Sequence, residues 1–303
     1  MCNVIKEGSV YQFADDTCLI TAHRDIKVAE RHMQQNFDLI CKWAHDVGLV
    51  INSNKTKLIH IRSSHNTADY SIKVITHEHD CFHNKHQNCS CKALEIVQQH
   101  KYLGLIIDER FNWGPHIQHV CHKLRAIQSK LAILKYKVPY KILRLIYLSM
   151  ADSIIGYGLS SYGKTYKTYL DYIYKLQISI LKIIVPKKVK LECKKNNDYN
   201  DLFNYCKILS IFDKTKLHTL IEENQNKSKL NKKKRPDGLR NILYQKSFNL
   251  PKVNNVYGQR TWMYYLPNVL NELPLEMQNI FVTTDKFSSK IKNHFIDSYK
   301  RTT

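Results

Sequence analysis

The apolar positions of this chain change period several times, and each change predicts an element. Val4 to Phe13 and Thr17 to Ala22 are short runs rich in Val, Ile, Tyr, Phe and Thr, parted by Ala14, Asp15 and Asp16. That order predicts a hairpin with aspartates at its tip. Asp25 is placed to cap the next segment, where Ile26, Ala29, Met33, Phe37, Ile40, Ala44 and Val47 recur at steps of three and four until Gly48. Such spacing predicts an amphipathic helix. LVINSNKTKLIHI alternates around a polar centre, which predicts two short strands from Leu49 and Thr56 joined by an Asn52 to Lys55 turn. Ala93 to Val97 and then HKYLGLIID read as further strand, with Gly104 inside it. A glycine within a strand often marks close backbone approach.

After Pro115 the period lengthens. Ile117, Val120, Leu124, Ile127, Leu131 and Leu134 form a seam over a long helix that ends by Pro139. Ile142, Leu143, Ile146, Met150 and Ile154 predict a second helix, and Leu170, Ile173, Leu176, Ile180 and Ile183 a third, closed by Pro186. Short connections between them predict a bundle. Lys187 to Pro236 is rich in lysine and asparagine and reads first as a solvated linker, with a phosphate grip or a nuclear address as the alternatives. GQRTWMYYLPNVLNELPLEMQNI and the helical FSSKIKNHFIDSY are too aromatic for disorder and read as a small appended element.

Charge changes this picture more than composition does. The 303 residues are 43% hydrophobic, enough for a sizeable core, yet carry a formal net charge of +21. Such an excess points to a polyanion, nucleic acid before membrane. It is also uneven: residues 1 to 62 are nearly neutral, so almost all of the excess lies beyond them. No apolar run approaches the length of a bilayer span and no signal peptide opens the chain, so it reads as soluble and intracellular, nuclear or cytoplasmic. Nine cysteines are too sparse for a disulfide scaffold.

Paired carboxylates at a hairpin tip are ordinary turn chemistry in general. Here Phe13, Ala14, Cys18 and Leu19 are expected to pack around them, and two adjacent like charges repel unless a cation lies between. A divalent metal answers both points. Hard oxygens on neighbouring residues suit Mg²⁺, which keeps its waters and bridges to substrate phosphates, as in two-metal phosphoryl transfer.

Phe13-Ala14-Asp15-Asp16 followed by Thr17 resembles the palm hairpin of reverse transcriptases from non-LTR, jockey-like retrotransposons. Four further stretches fit that family in order. They are Gly48, Leu49 and Asn52 leading to Lys55-Thr56-Lys57; Lys101-Tyr102-Leu103-Gly104 running into Ile107-Asp108; the helices after Pro115; and Gly258-Gln259-Arg260, Pro267, Asn271, Leu273-Pro274 and Phe287. The resemblance implies an α+β fold, a partial polymerase palm of antiparallel strands with one helix followed by a helical thumb bundle. Its domains would be residues 1 to 112 as palm with a primer-gripping hairpin, 113 to 186 as thumb, 187 to 236 as basic linker and 237 to 303 as the terminal element.

By the same resemblance Asp15 is the principal metal ligand, Asp16 a supporting one, and Lys55 a phosphate contact or acid. Tyr102, Leu103 and Gly104 position the primer, Mg²⁺ is the cofactor, and an RNA template and DNA primer are the partners. The family also uses a third palm aspartate and a fingers region upstream of the pair, and only fourteen residues precede Asp15. The expectation is therefore a piece of an RNA-directed DNA polymerase that is inactive alone. A separate or mis-annotated N-terminal portion would complete it, and until then an open sheet edge prone to aggregation is expected. The alternative is a non-catalytic nucleic-acid-binding protein of the same descent.

HEHDCFHNKHQNCSC gathers His77, His79, Cys81, His83, His86, Cys89 and Cys91. Cys89-Ser90-Cys91 leaves one residue between thiols where zinc sites place two or more, which favours a variable surface loop over a zinc site. Of the tyrosines at 136, 140, 147, 162, 166, 169 and 172, most are expected to pack helices, although stacking on bases is the other use of such side chains.

Overall fold

The computed structural model describes residues 5, 7–63, 72–77, 91–196, 198–226, 248–283 and 287–300. The chain divides into two compact units, Met1–Pro115 and His116–Thr303. In the first, β1 (Ser9–Phe13) and β2 (Asp16–Ile20) form an antiparallel hairpin. The helix α1 (Ile26–Asp46) follows, with Asp25 accepting the Lys27 N–H at 2.8 Å as its N-cap. Its apolar stripe buries Phe37, Ile40, Cys41 and Ala44, and Gly48 ends it at φ +74°. Phe37 and Cys41 join Leu58, Val74 and Leu94 in a core against which Leu19, Met33, Ile51 and Ile72 pack. Burial of each large apolar side chain there contributes about 2 kcal/mol.

The remaining strands are short. β3 (Lys57–Leu58) pairs with β4 (Glu95–Ile96), and β5 (Gln99–Tyr102) with β6 (Leu105–Asp108). The β3–β4 pair is parallel, a departure from an all-antiparallel palm. Two residues of ladder suffice there because Leu58 and Leu94 are held by the core rather than by the sheet. Leu49 to Ile51 form no strand: the Leu49 N–H turns back to the Ala44 carbonyl, and the expected turn is held by Lys55 and Thr56 N–H groups donating to the Asn52 carbonyl. Gly104 does not lie inside a strand either. It is the second residue of the β5–β6 loop.

In the second unit, α2 (Gly114–Leu134) buries Ile117, Val120, Leu124, Ile127 and Leu131, the seam its spacing predicts. The next helical stretch buries a different stripe. From α3 (Tyr140–Ile146) through a π-turn (Tyr147–Ala151) to α4 (Asp152–Gly156), the inward residues are Leu143, Tyr147, Ala151 and Ile155, while Ile142 and Met150 stay exposed. Each four-residue step overshoots by about 40° in an α-helix. The wider π-turn takes that rotation back, so one face stays inward.

After α5 (Leu159–Tyr162), α6 (Lys167–Ile184) buries Leu170, Ile173, Ile180, Leu181 and Ile184, and with them Gln177. Residues 187 to 226, which composition presents as linker, form α7 (Lys187–Asn196), α8 (Asn200–Cys206) and α9 (Ile211–Asn226). Their few apolar residues are concentrated and inward: Leu202, Phe203, Cys206, Ile208, Leu209, Ile211, Leu217 and Leu220 are buried. The terminal segment supplies α10 (Val256–Arg260), α11 (Trp262–Glu272), α12 (Leu275–Thr283) and α13 (Phe287–Asp297). It is joined to α9 rather than appended. Tyr299 bonds Asp213 and accepts the Ser210 N–H, and Lys216 pairs with Glu272 at 2.7 Å.

The tyrosines divide between buried and exposed positions. Tyr147 and Tyr162 are fully buried, whereas Tyr136 and Tyr172 are exposed. Among the described residues no helix is long and apolar enough to cross a membrane.

Candidate active site

Asp15 and Asp16 sit where β1 turns into β2. Phe13 pairs with Asp16, which leaves Ala14 and Asp15 as a two-residue loop. Ala14 has φ +53°, a left-handed conformation that costs an L-residue about 1 kcal/mol and suits the tight loop. Directly opposed residues of an antiparallel pair share a face, so Asp16 stands with Tyr11, Phe13, Cys18 and Ile20, and Leu19 lies on the other side. Leu19 reaches the core against α1. The aspartate face is thereby turned away from that core.

The aspartates themselves are exposed, and so are several apolar neighbours: Phe13 is 67% accessible, Tyr11 58% and Ile20 48%. The expectation that Phe13 and Ala14 pack around the aspartates is therefore not met. A two-stranded ribbon has one face against α1 and leaves much of the other open. Cys18 is half-buried, and burial raises its thiol pKa.

One side chain of the β5–β6 hairpin, Tyr102, lies within electrostatic reach of this face. Tyr102 pairs with Leu105 across a loop of Leu103 and Gly104, with φ +45° and +81°. Positive φ at both loop positions defines the turn that matches strand twist, and glycine takes the second at no steric cost. The Tyr102 hydroxyl is held above its ordinary pKa by burial first, then by the Cys18 and Asp16 groups facing it. Asp16 and Cys18 thus lie close enough to act electrostatically on Tyr102, from two hairpins far apart in sequence.

That hairpin is tied down from its far end. Glu109 accepts the Arg62 N–H at 2.9 Å and pairs with the Arg62 guanidinium at 3.4 Å. Asp108, 6% exposed, accepts N–H bonds from Arg110 at 3.1 Å, Asn112 at 3.2 Å and Trp113 at 2.7 Å. It holds the turn in which Phe111 and Trp113 take positive φ. Neither Cys18 nor the organising role of Asp108 is evident from motif reading. Strand alternation from Asp16 would have placed Cys18 on the same face.

Lys55 stands exposed on the Asn52 turn, its N–H donating to the Asn52 carbonyl and side-chain oxygen. Among the described contacts none joins its side chain to either aspartate. Of the His/Cys-rich loop only His77 and Cys91 are described, and the other five ligand candidates lie outside the described residues. Among the described residues no three His, Cys, Asp or Glu gather as a metal site. Two adjacent exposed carboxylates do fit Mg²⁺ in one respect, since that ion commonly takes one or two protein carboxylates and completes its shell with water and phosphate oxygens.

Curated proteins share sequence with this chain. The RNA-directed DNA polymerase from mobile element jockey of Drosophila melanogaster is 26% identical over 183 residues, 57% of this chain and 17% of that protein. A second is the retrovirus-related Pol polyprotein from type-1 retrotransposable element R1 2 of Nasonia vitripennis. It is 24% identical over 123 residues, 41% of this chain and 28% of that polyprotein. The matched stretches span less than a third of either relative's length, 17% of the first and 28% of the second. No family model matches the chain, and no solved structure does.

Proposed function

We propose that this chain carries the metal-binding and primer-positioning hairpins of an RNA-directed DNA polymerase from a mobile element. The juxtaposition of Asp16 with Tyr102 supports this most directly, since it joins the paired carboxylates to the hairpin that the resemblance assigns to the primer end. Asp15 is the principal metal ligand and Asp16 the second. Mg²⁺, when bound, lowers the cost of forming the attacking alkoxide and neutralises the leaving oxygen. Tyr102, Leu103 and Gly104 hold the primer end against the aspartate face, and Lys55 meets phosphate. The partners are an RNA template and a DNA primer.

With Asp15 and Asp16 as its two adjacent carboxylates, the 303-residue chain binds metal weakly and does not extend a primer on its own. Mn²⁺, a paramagnetic stand-in for Mg²⁺, should broaden the amide signals of residues 13 to 17 in the NMR spectrum, and Asp15→Asn should abolish the effect. Primer extension by the isolated chain would overturn the reading of inactivity, and broadening that survives Asp15→Asn would overturn the metal assignment. A second reading, nucleic-acid binding without chemistry, is favoured by the +21 charge. It requires salt-sensitive binding that Asp15→Asn leaves intact.

A further inference from the structure

Gly258-Gln259-Arg260 lies in the second unit, in a turn built with little freedom. Asn255 accepts the Gly258 N–H at 2.7 Å, and the Thr261 hydroxyl donates to the Gly258 carbonyl at 2.6 Å, so α10 is closed at both ends. A Cβ at Gly258 would stand 3.0 Å from that of Val253, a contact that glycine avoids. The product of this turn is the placement of Arg260. Its guanidinium carbon lies 4.9 Å from the Tyr166 ring centroid and 5.5 Å from that of Tyr257, both within cation–π range. Tyr166 immediately precedes α6, so these contacts pin the turn to the helical core.

In the first turn of α11, just past Arg260, stand two side chains that the core leaves open. Trp262 shares the helical face of Leu266, Val269 and Leu270, which are buried, yet it is 45% exposed, and Met263 is 60% exposed. A large aromatic ring held in place before its partner arrives binds at less entropic cost. Charge selects that partner. The two stretches joined through Arg260, residues 159 to 170 and 248 to 267, contain no Asp or Glu and carry Lys164, Lys167, Lys252 and Arg260. Glu222 and Glu223 face Lys164 from α9 and answer its charge. Lys167 and Lys252 are exposed, the first next to Tyr166 in the chain and the second next to Val253. Cations beside an open aromatic face are the two halves of a single-strand-binding surface.

We propose that the α10–α11 turn binds single-stranded nucleic acid, with one base stacked on the open face of Trp262 and Met263 packed beside it. Lys167, Lys252 and Arg260 set the positive potential that draws the strand in. A paired base in a duplex offers no free face to the indole, which is why the single strand is the partner. The site uses neither aspartate nor the β5–β6 hairpin, and it shares with the proposed function only the class of partner.

The test is fluorescence anisotropy of the full chain with a labelled oligothymidylate and with a duplex of equal length, at about 50 mM salt. Trp262→Ala should weaken single-strand binding by about tenfold and leave duplex affinity unchanged. Trp262→Tyr, which keeps a stacking ring, should recover most of that loss. Unlabelled oligothymidylate should quench part of the tryptophan emission of the parent, and in Trp262→Tyr that quenched part should be gone. Circular dichroism confirms that each variant is folded, and the tyrosine variant's emission carries the test if the alanine variant is not. A folded Trp262→Ala that binds like the parent, or a Trp262→Tyr still quenched as the parent is, overturns this site and leaves the proposed function standing. Equal losses for duplex and single strand overturn the single-strand assignment. A parent chain that binds duplex but not oligothymidylate overturns the site as well.

Discussion

Lys190 shows how a single residue can be held in an unfavourable state. Its pKa of about 8 reflects burial and the Lys135 and Lys187 charges facing it, whereas an unfolded chain leaves it near 10.4 or thereabouts. Between those pH values the unfolded chain binds the proton that the folded chain has released, so stability rises with pH from about 8 upward. Below that window the penalty is fully present. Denaturant titrations from pH 7.5 to 10.5 should show the rise in the parent and a smaller one in Lys190→Gln, which should also be the more stable at neutral pH. Such a residue is invisible to pattern reading, because Lys135 and Lys190 are distant in the chain and each looks solvated alone. Gln177 is a similar case. It sits fully buried in the α6 stripe, donating to the Tyr147 hydroxyl at 3.1 Å and accepting the Ile211 N–H at 2.8 Å. Asp15 and Asp16, by contrast, are legible at once, since a charged pair interrupting an apolar run stands out in one dimension.

Elements were legible where one face meets one core. The spacing along α1 and α2 names Phe37, Ile40 and Ala44 and the Ile117 to Leu131 seam but misses Asn36, Cys41, His116 and Cys121, which flank those stripes, and the turn at Asn52 follows from its residue types. Legibility fails where geometry departs from the ideal period. The π-turn shifts the inward positions from the expected Met150 and Ile154 to Ala151 and Ile155. It fails again where composition hides pattern: α7 to α9 are lysine- and asparagine-rich, yet a few concentrated apolar residues bury well. The stub after β6 depends on Asp108, which satisfies three N–H groups that no regular element serves. Asp108→Ala should destabilise the first unit by about 3 kcal/mol, near one per hydrogen bond, while Asp108→Asn should lose less. Urea unfolding followed by the fluorescence of Trp43 and Trp113 would read the difference.

Across the whole molecule the two units carry separate cores, a small one around Phe37, Leu58 and Val74 and a larger helical one. Calorimetry should therefore resolve two transitions, the cooler and smaller belonging to the first unit. Merging of the two into one sharp peak would show coupled folding. The proposed chemistry belongs to the smaller core. Asp16 and Tyr102 come together only after the intervening chain, including α1, has been made. Ribosomes add roughly 5 to 20 residues each second, so the β1–β2 hairpin waits for seconds before Tyr102 emerges. Contacts so remote in sequence close slowly, and because Tyr11, Phe13 and Ile20 stay bare in the finished unit as well, the demand for a chaperone outlasts synthesis.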